Sequence, residues 1–300
     1  MSSPKVVVIV LQYNNSTDTV KCLETVRRLN YPDFVVVVVD NASDANHRHI
    51  LENFISSMLD SRFYFLASNS NLGYAGGNNL GIKYALEKGA KLVLILNNDT
   101  LVPPDLLITL TAVVEEHNTT GIVGPAIDEG FGLIARGGTI KWLCSELNHI
   151  YNLNDRPKYK YRPRKSNYYL PGVCILIKKE VIDKIGMLDE RYFLYFEDAD
   201  YCLRAQKAGF NLVVAREAII KHVVSSSTSQ LGLPRLLCYH FRNAHLFNSQ
   251  HGPVWVKFLL PFWSIFIIIK QLVKIGLFPG RREISRGILK GVIHFYKGKF

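Results

Sequence analysis

Three segments in the first third of the chain are unbroken apolar runs bounded by a charge: Lys5-Val-Val-Val-Ile-Val-Leu11, Phe34-Val-Val-Val-Val-Val-Asp40 and Lys91-Leu-Val-Leu-Ile-Leu96. Continuous aliphatic runs of this length predict strands buried on both faces of a parallel sheet. Parallel strands require crossovers, and helices are expected between them. From Ser16 to Leu29, Val20, Leu23 and Val26 recur near helical spacing, Ser16 or Thr17 offers an N-cap and Pro32 lies beyond the end. Gly81 to Glu87 belong to a helix before the third strand. Strand, helix, strand, helix, strand is the opening of a doubly wound sheet, so the expected class is α/β, a Rossmann-like, mostly parallel sheet flanked by helices.

Ligands of such sheets bind beyond the carboxyl ends of the strands. Here those ends are Gln12-Tyr13-Asn14-Asn15, Asp40-Asn41-Ala42-Ser43-Asp44 and Asn97-Asn98-Asp99-Thr100. A turn accounts for any one of them; three together point to one polar crevice. Asn71-Leu-Gly-Tyr-Ala-Gly-Gly-Asn-Asn79 adds a glycine-rich approach to a helix, where backbone N–H groups can come close to a ligand. It has neither the spacing of a dinucleotide fingerprint nor the lysine of a phosphate-binding loop.

Further along, the periodicity fades between Phe131 and Tyr169, where Arg156, Lys158, Lys160, Arg162, Arg164 and Lys165 alternate with Tyr159 and Tyr161. This reads as a mobile basic loop, either solvated or a lid or acceptor contact. A second structured block runs from Leu170 to Lys178, through a helix near Lys179 to Ile185, to Tyr192-Phe-Leu-Tyr-Phe-Glu-Asp-Ala-Asp-Tyr201. There Glu197, Asp198 and Asp200 stand against aromatics where a helix should begin. Capping needs only one acid. The excess, desolvated by Phe193, Tyr195 and Phe196, is how a general base acquires a raised pKa.

Composition narrows the setting. The 300 residues are 48% hydrophobic, enough for one large core or two modest ones. The five cysteines form no Cys-x-x-Cys pair and no cleavage pattern opens the sequence, so reduced thiols and a cytoplasmic location are expected. Residues 251–300 hold nine of the 36 basic residues but one of the 25 acidic ones, and also the uncharged run Phe258–Ile269. That run falls short of the about 20 apolar residues of a bilayer span. It suits the interface of an anionic leaflet, at the inner face of the cell membrane, with a buried helix or an oligomer contact as the alternative. No nucleic-acid motif accompanies the charge, and no nucleic-acid partner is expected.

Assembled in order, Tyr13-Asn14, Val39-Asp-Asn-Ala-Ser-Asp44, Gly73-Tyr-Ala-Gly-Gly-Asn-Asn79, Leu96-Asn-Asn-Asp-Thr100, Pro171-Gly172, Gly186-Met-Leu-Asp-Glu190 and Phe196-Glu-Asp-Ala-Asp-Tyr-Cys-Leu-Arg204 resemble the family 2 glycosyltransferases, especially their rhamnosyltransferase-like branch, across about residues 4–250. The resemblance implies a GT-A fold, with a catalytic domain over 1–225 (nucleotide-sugar half about 1–130, acceptor half about 131–225) and a basic helical extension over 226–300. It assigns Tyr13 and Asn14 to the base pocket, Asp40 to base recognition, and Asn78 with neighbouring glycines such as Gly77 to the ribose or diphosphate. Asn41, Asn97 and Asn98 complete the donor-binding set. Asp99 takes the place of the family's metal-binding acid and His222 that of its later histidine, for Mg²⁺ or Mn²⁺. The motif departs from the family pattern in holding one carboxylate rather than two.

The implied reaction is inverting transfer of a sugar, rhamnose in the branch's commonest case, from a nucleoside diphosphate to a glycan or lipid-linked glycan for a cell-surface polysaccharide. Asp198 is the candidate general base, while Glu197 and Asp200 shape the acceptor pocket or raise its pKa. A catalytically silent carbohydrate- or membrane-binding relative and a nucleotide-dependent dehydrogenase are the competing readings.

Overall fold

The computed structural model describes residues 3–151, 159–162, 167–223 and 231–300. Its first half alternates strands and helices: β1 (Val6–Gln12), α1 (Ser16–Val26), β2 (Phe34–Asp40), α2 (Ala45–Ser57), β3 (Phe63–Ala67), α3 (Gly73–Glu87), β4 (Leu92–Asn97), β5 (Thr100–Leu101) and α4 (Leu106–Glu116). The second half holds β6 (Thr120–Asp128), β7 (Ile134–Lys141), β8 (Glu146–Tyr151), β9 (Tyr159–Arg162), β10 (Tyr168–Tyr169), β11 (Cys174–Lys178), α5 (Lys179–Ile185), α6 (Glu197–Lys207) and β12 (Asn211–His222). Helices α7 (Leu233–His251), α8 (Val254–Leu277) and α9 (Arg282–Tyr296) follow.

One sheet runs through both halves in the order β10-β7-β6-β11-β4-β1-β2-β3. β4, β1, β2 and β3 are parallel; β11 then joins antiparallel to β4 and β6. The all-apolar strands are explained by period-two alternation between two covered faces. Val7, Ile9, Val37, Val39, Val93 and Ile95 meet α3 and α6, and Val6, Val8, Val10, Val36, Val38 and Leu94 meet α1 and α4. Because β1 lies between β2 and β4, chain direction reverses around it, and a crevice opens at its carboxyl end.

Several expectations are corrected. The N-cap of α1 is Asn15, whose side chain accepts from the Asp18 amide, not Ser16 or Thr17. The stretch read as a loop between Phe131 and Tyr169 contains β7, β8, β9 and β10, short strands whose pairing partners, not their own periodicity, define them. Of its basic residues, Arg156, Lys158, Arg164 and Lys165 lie outside the described residues, while 159–162 is strand β9 on β12. The tail's uncharged run belongs to the 24-residue α8, which continues through Lys257 and Lys270 and is long and apolar enough, by length and composition, to cross a membrane. Ala244, Leu246 and Phe247 of α7 enter the main core, whereas Ile267 of α8 packs with Ile288 and Val292 of α9 in a smaller cluster.

Candidate active site

The crevice is a cavity of about 270 Å³ lined by the ends of β1, β2 and β4 together with the start of α3 and the loop before α6. Tyr13, Asn41, Asn97, Asn98, Asp99 and His222 of the expected set all line it. Asn41 donates to Asn71 Oδ1 (3.1 Å) and the Gly73 carbonyl (3.0 Å) and accepts from the Leu72 amide (2.9 Å), tying the β2 end to α3. Asn14, in the left-handed region at φ 48°, donates its amide to Ser43 Oγ (2.9 Å) and accepts from the Asp44 amide (2.8 Å).

Of the residues expected around the donor, Asn14, Asp40, Gly77 and Asn78 lie outside the lining. Asp40 is fully buried; it accepts from Gln12, from the Ser43 amide (3.2 Å) and from Arg48 (3.1 Å), and so fixes the edge of the cavity. Gly77 and Asn78 sit within α3, which already begins at Gly73. A Cβ on Gly77 would lie 2.5 Å from Leu11 Cδ1, so glycine there lets α3 press against the end of β1. Asn78 is buried and donates to the Tyr74 carbonyl (2.9 Å).

Asp99 and His222 are brought together by a short antiparallel pairing of β5 with β12, in which His222 faces Thr100 and the Val223 amide donates to the Asp99 carbonyl (2.9 Å). The His222 Nε2 stands 3.3 Å from Asp99 Oδ1, an oxygen that is buried and accepts no hydrogen bond. A carboxylate oxygen and an imidazole nitrogen converging on a polar cavity suit a divalent cation that takes its other ligands from phosphate and water. Among the described residues no cluster of three His, Cys, Asp or Glu exists, so these two side chains alone make a weak site. Asn98, next to the single carboxylate, spends its amide on Thr19 Oγ1 (2.8 Å) of α1.

Glu197 and Asp198 open α6 beyond the cavity lining. Asp198 accepts from the Gly172 amide (2.8 Å) and the Ala199 amide (2.7 Å). Burial raises its pKa against those hydrogen bonds. Burial, then the charges of Asp198 and Asp200, holds Glu197 well above the usual carboxylate range, and its Oε2 accepts no hydrogen bond. Asp200 has a different place from the one expected: it is buried, ion-paired with Arg204 (2.7 Å) of its own helix and within hydrogen-bond distance of His251 Nε2 (2.6 Å), which clamps α6 to α7.

The residue that joins the two halves was not in the expected set. Tyr74 Oη is 2.9 Å from Asn97 Oδ1 and 2.6 Å from the Gly172 carbonyl, linking the donor cavity to the residue whose amide donates to Asp198. Burial, then Glu197, Asp198 and Asp99, pushes its pKa far up, so it stays a donor. Its signal in the sequence is its place in the Gly73-Tyr-Ala-Gly-Gly-Asn-Asn79 motif, as the one aromatic in a run of small residues. A second unexpected group is Glu129, just after β6, with His149 and Tyr151 of β8; His149 acts to lower the pKa of Asp198 against the larger effect of burial.

Comparison with known proteins agrees with this architecture. The model of the family "Glycosyl transferase family 2" matches residues 7–186. The dTDP-rhamnosyl transferase RfbF of Shigella flexneri is 23% identical over 264 residues, 82% of this chain and 81% of its own. The low-salt glycan biosynthesis hexosyltransferase Agl10 of Haloferax volcanii is 27% identical over 59% of this chain, which spans about half (54%) of that relative. Among solved structures, the mannosyltransferase PcManGT of Pyrobaculum calidifontis, in complex with GDP-Man and Mn²⁺, is similar with a TM-score of 0.59 at 14% identity, over 100% of this chain and 90% of its own. GalNAc-T7, with UDP, GalNAc and Mn²⁺, has a TM-score of 0.64 at 15% identity over 80% of this chain and 47% of its own. The sheet with its carboxyl-end crevice is thus the GT-A fold, and the chain belongs to glycosyl transferase family 2 as a glycosyltransferase.

Proposed function

We propose that the protein moves a sugar, rhamnose carried on dTDP being the first candidate, from a nucleoside diphosphate to a glycan or lipid-linked glycan, with inversion, in cell-surface polysaccharide synthesis. The observation that carries this is the convergence of Asp99 and His222 on a cavity made by three polar strand ends, joined through Tyr74 to a desolvated carboxylate pair. The likeness to RfbF over most of both chains supports the donor class.

Tyr13 and Asn41 line the donor pocket, with Asn14 and Asp40 fixing its edge. Asp99 and His222 would hold Mg²⁺ or Mn²⁺, which supplies neutralisation of the departing diphosphate. The acceptor hydroxyl gives its proton to Asp198 as its oxygen bonds to the anomeric carbon. The bond from that carbon to the diphosphate breaks on the opposite face, and the diphosphate leaves with the electron pair. One displacement inverts the centre. Tyr74 and the Gly172 amide hold the carboxylate in line.

The extension favours a lipid-linked acceptor at the cytoplasmic membrane face. On α8 the exposed side is largely apolar, with Phe258 (70% exposed), Phe262 (60%) and Leu277 (69%) among it, while Val256, Leu260 and Ile267 are buried together with Ser264 and Gln271. An apolar exposed side departs from the pattern of a soluble surface helix and fits an interfacial one flanked by cations.

Calorimetric titration with dTDP, UDP and GDP, each with Mn²⁺ and with EDTA, tests the donor half. One nucleotide is expected to bind tightly only with metal, and Asp99→Ala to weaken that binding about tenfold or more. Binding that is identical with and without metal, or unchanged in Asp99→Ala, would remove the metal site from the reading.

A further inference from the structure

A second polar cavity, of about 550 Å³, lies between α7 and α9, away from the residues assigned above. Its walls carry Arg235, Tyr239 and Arg242 from α7 and Arg286, Lys290 and His294 from α9. The acid of its lining, Glu283, is already paired with Arg286 at 2.5 Å. Arg242 is 4% exposed and donates to neutral acceptors only, Asn243 Oδ1 (2.8 Å) and the Arg191 carbonyl (3.0 Å). Among the described residues no carboxylate is within ion-pair distance of it. A buried guanidinium without an anion is costly, and a ligand that brings negative charge would offset that cost.

Two neighbours register the same field. Burial and then the cations Lys290, Lys299 and Arg242 lower the pKa of His294. Burial raises the pKa of Cys238, in the same lining, while Lys290, Arg242 and Arg235 act against it. The walls are fixed by close helix contact, since a Cβ on Gly287 would lie 2.2 Å from the Pro234 carbonyl and one on Gly291 2.4 Å from that of Cys238. Tyr239 stacks on Phe193 with centroids 4.9 Å apart, and Phe193 lines the donor cavity. One stacked ring pair therefore separates the two cavities.

We infer that this cavity binds the diphosphate of a lipid-linked acceptor, an inference that rests on the transferase reading and adds where the acceptor's anionic end is held. Guanidinium and ammonium groups converging from two helices match diphosphate oxygens. The apolar face of α8 beside α9 gives the lipid chain a surface to follow into the leaflet.

The test uses the full chain saturated with dTDP and Mg²⁺, into which inorganic pyrophosphate is titrated. A further binding event is expected, weakened about tenfold or more in Arg235→Gln/Lys290→Gln, whose side chains are exposed, and in Arg242→Gln, with dTDP affinity unchanged. Phosphatidylcholine vesicles doped with a polyprenyl diphosphate should then recruit the wild type better than the double variant. A difference as large on phosphatidylglycerol vesicles would make the cavity a general headgroup site and overturn the acceptor assignment. Absence of pyrophosphate binding while dTDP binds would overturn the cavity and leave the transferase standing. Failure of the wild type to bind any nucleoside diphosphate would overturn the reading beneath it.

Discussion

At the scale of residues, two adjacent carboxyls are held in different states of need. Asp198 has two backbone amides to receive its charge, whereas Glu197 has a buried oxygen with no donor. This supports Asp198 as the group that cycles through ionisation and Glu197 as the one kept protonated beside it. Asp198→Asn keeps the shape but cannot take a proton. Its kcat is expected to fall by about 10²–10⁴, with nucleotide affinity nearly unchanged, in single-turnover and titration measurements. Full activity would remove Asp198 as the base. The raised pKa of Glu197 also has a sign for stability. A carboxyl whose folded pKa lies above the unfolded value of about 4.3 binds more protons folded than unfolded. Its stabilising contribution is complete below that value and is lost as pH rises through the folded pKa. Glu197→Gln should therefore gain Tm relative to wild type as pH is raised from about 4 to 7. A pH-independent difference between the two melting curves would contradict that origin.

At the scale of elements, the start of α6 is the strained part. Tyr195 and Phe196 both have left-handed backbones, at φ 73° and 74°, without being glycine. The conformation is held from α7: Asn243, fully buried, donates to the carbonyls of Leu194 (2.7 Å) and Tyr195 (3.1 Å), and Phe196 packs on His240 and Phe247. Asn243→Ala is expected to cost about 1–3 kcal/mol in urea unfolding and to lower kcat more than it changes KM, because the carboxylates would lose their aim rather than their chemistry. Equal stability with unaltered kinetics would show the loop to be held by packing alone. The clamp of Asp200 by Arg204 and His251 is a second tie between the same helices.

At the scale of the whole molecule, the GT-A sheet and α7 share one core, while α8 and α9 stand on α7 with a small core of their own and an uncovered apolar face. Phe258→Glu/Phe262→Glu places charge on that face one turn apart. The double variant should lose flotation with anionic vesicles while its nucleotide titration is unchanged. Retained flotation would separate α8 from the membrane, and a dimer that the variant dissolves would assign the face to a second copy.

Much was fixed by local pattern alone. The apolar runs of β1, β2 and β4 required strands covered on both faces, and their polar ends had to gather at one edge of a parallel sheet, so the crevice and its Tyr13, Asn41 and Asn97 lining were legible residue by residue. The acids at the start of α6 were legible as an excess over what a cap needs. The rest depends on contacts between residues distant in the chain. His222 meets Asp99 only through the β5–β12 pairing, Tyr74 reaches Gly172 only because α3 packs over β1, and Asp200 is drawn into a clamp by a histidine from α7. Asp40, expected at the nucleotide base, is buried at the cavity's edge and paired with Arg48, a contact with α2 that its position at a strand end does not reveal. The sequence by itself determined the parallel strands β1, β2 and β4, their polar edge and the chemistry available there. Which of those groups share a cavity was decided by tertiary packing, since the hydrophobic pattern of a segment sets which face it buries but not which distant strand or helix it meets.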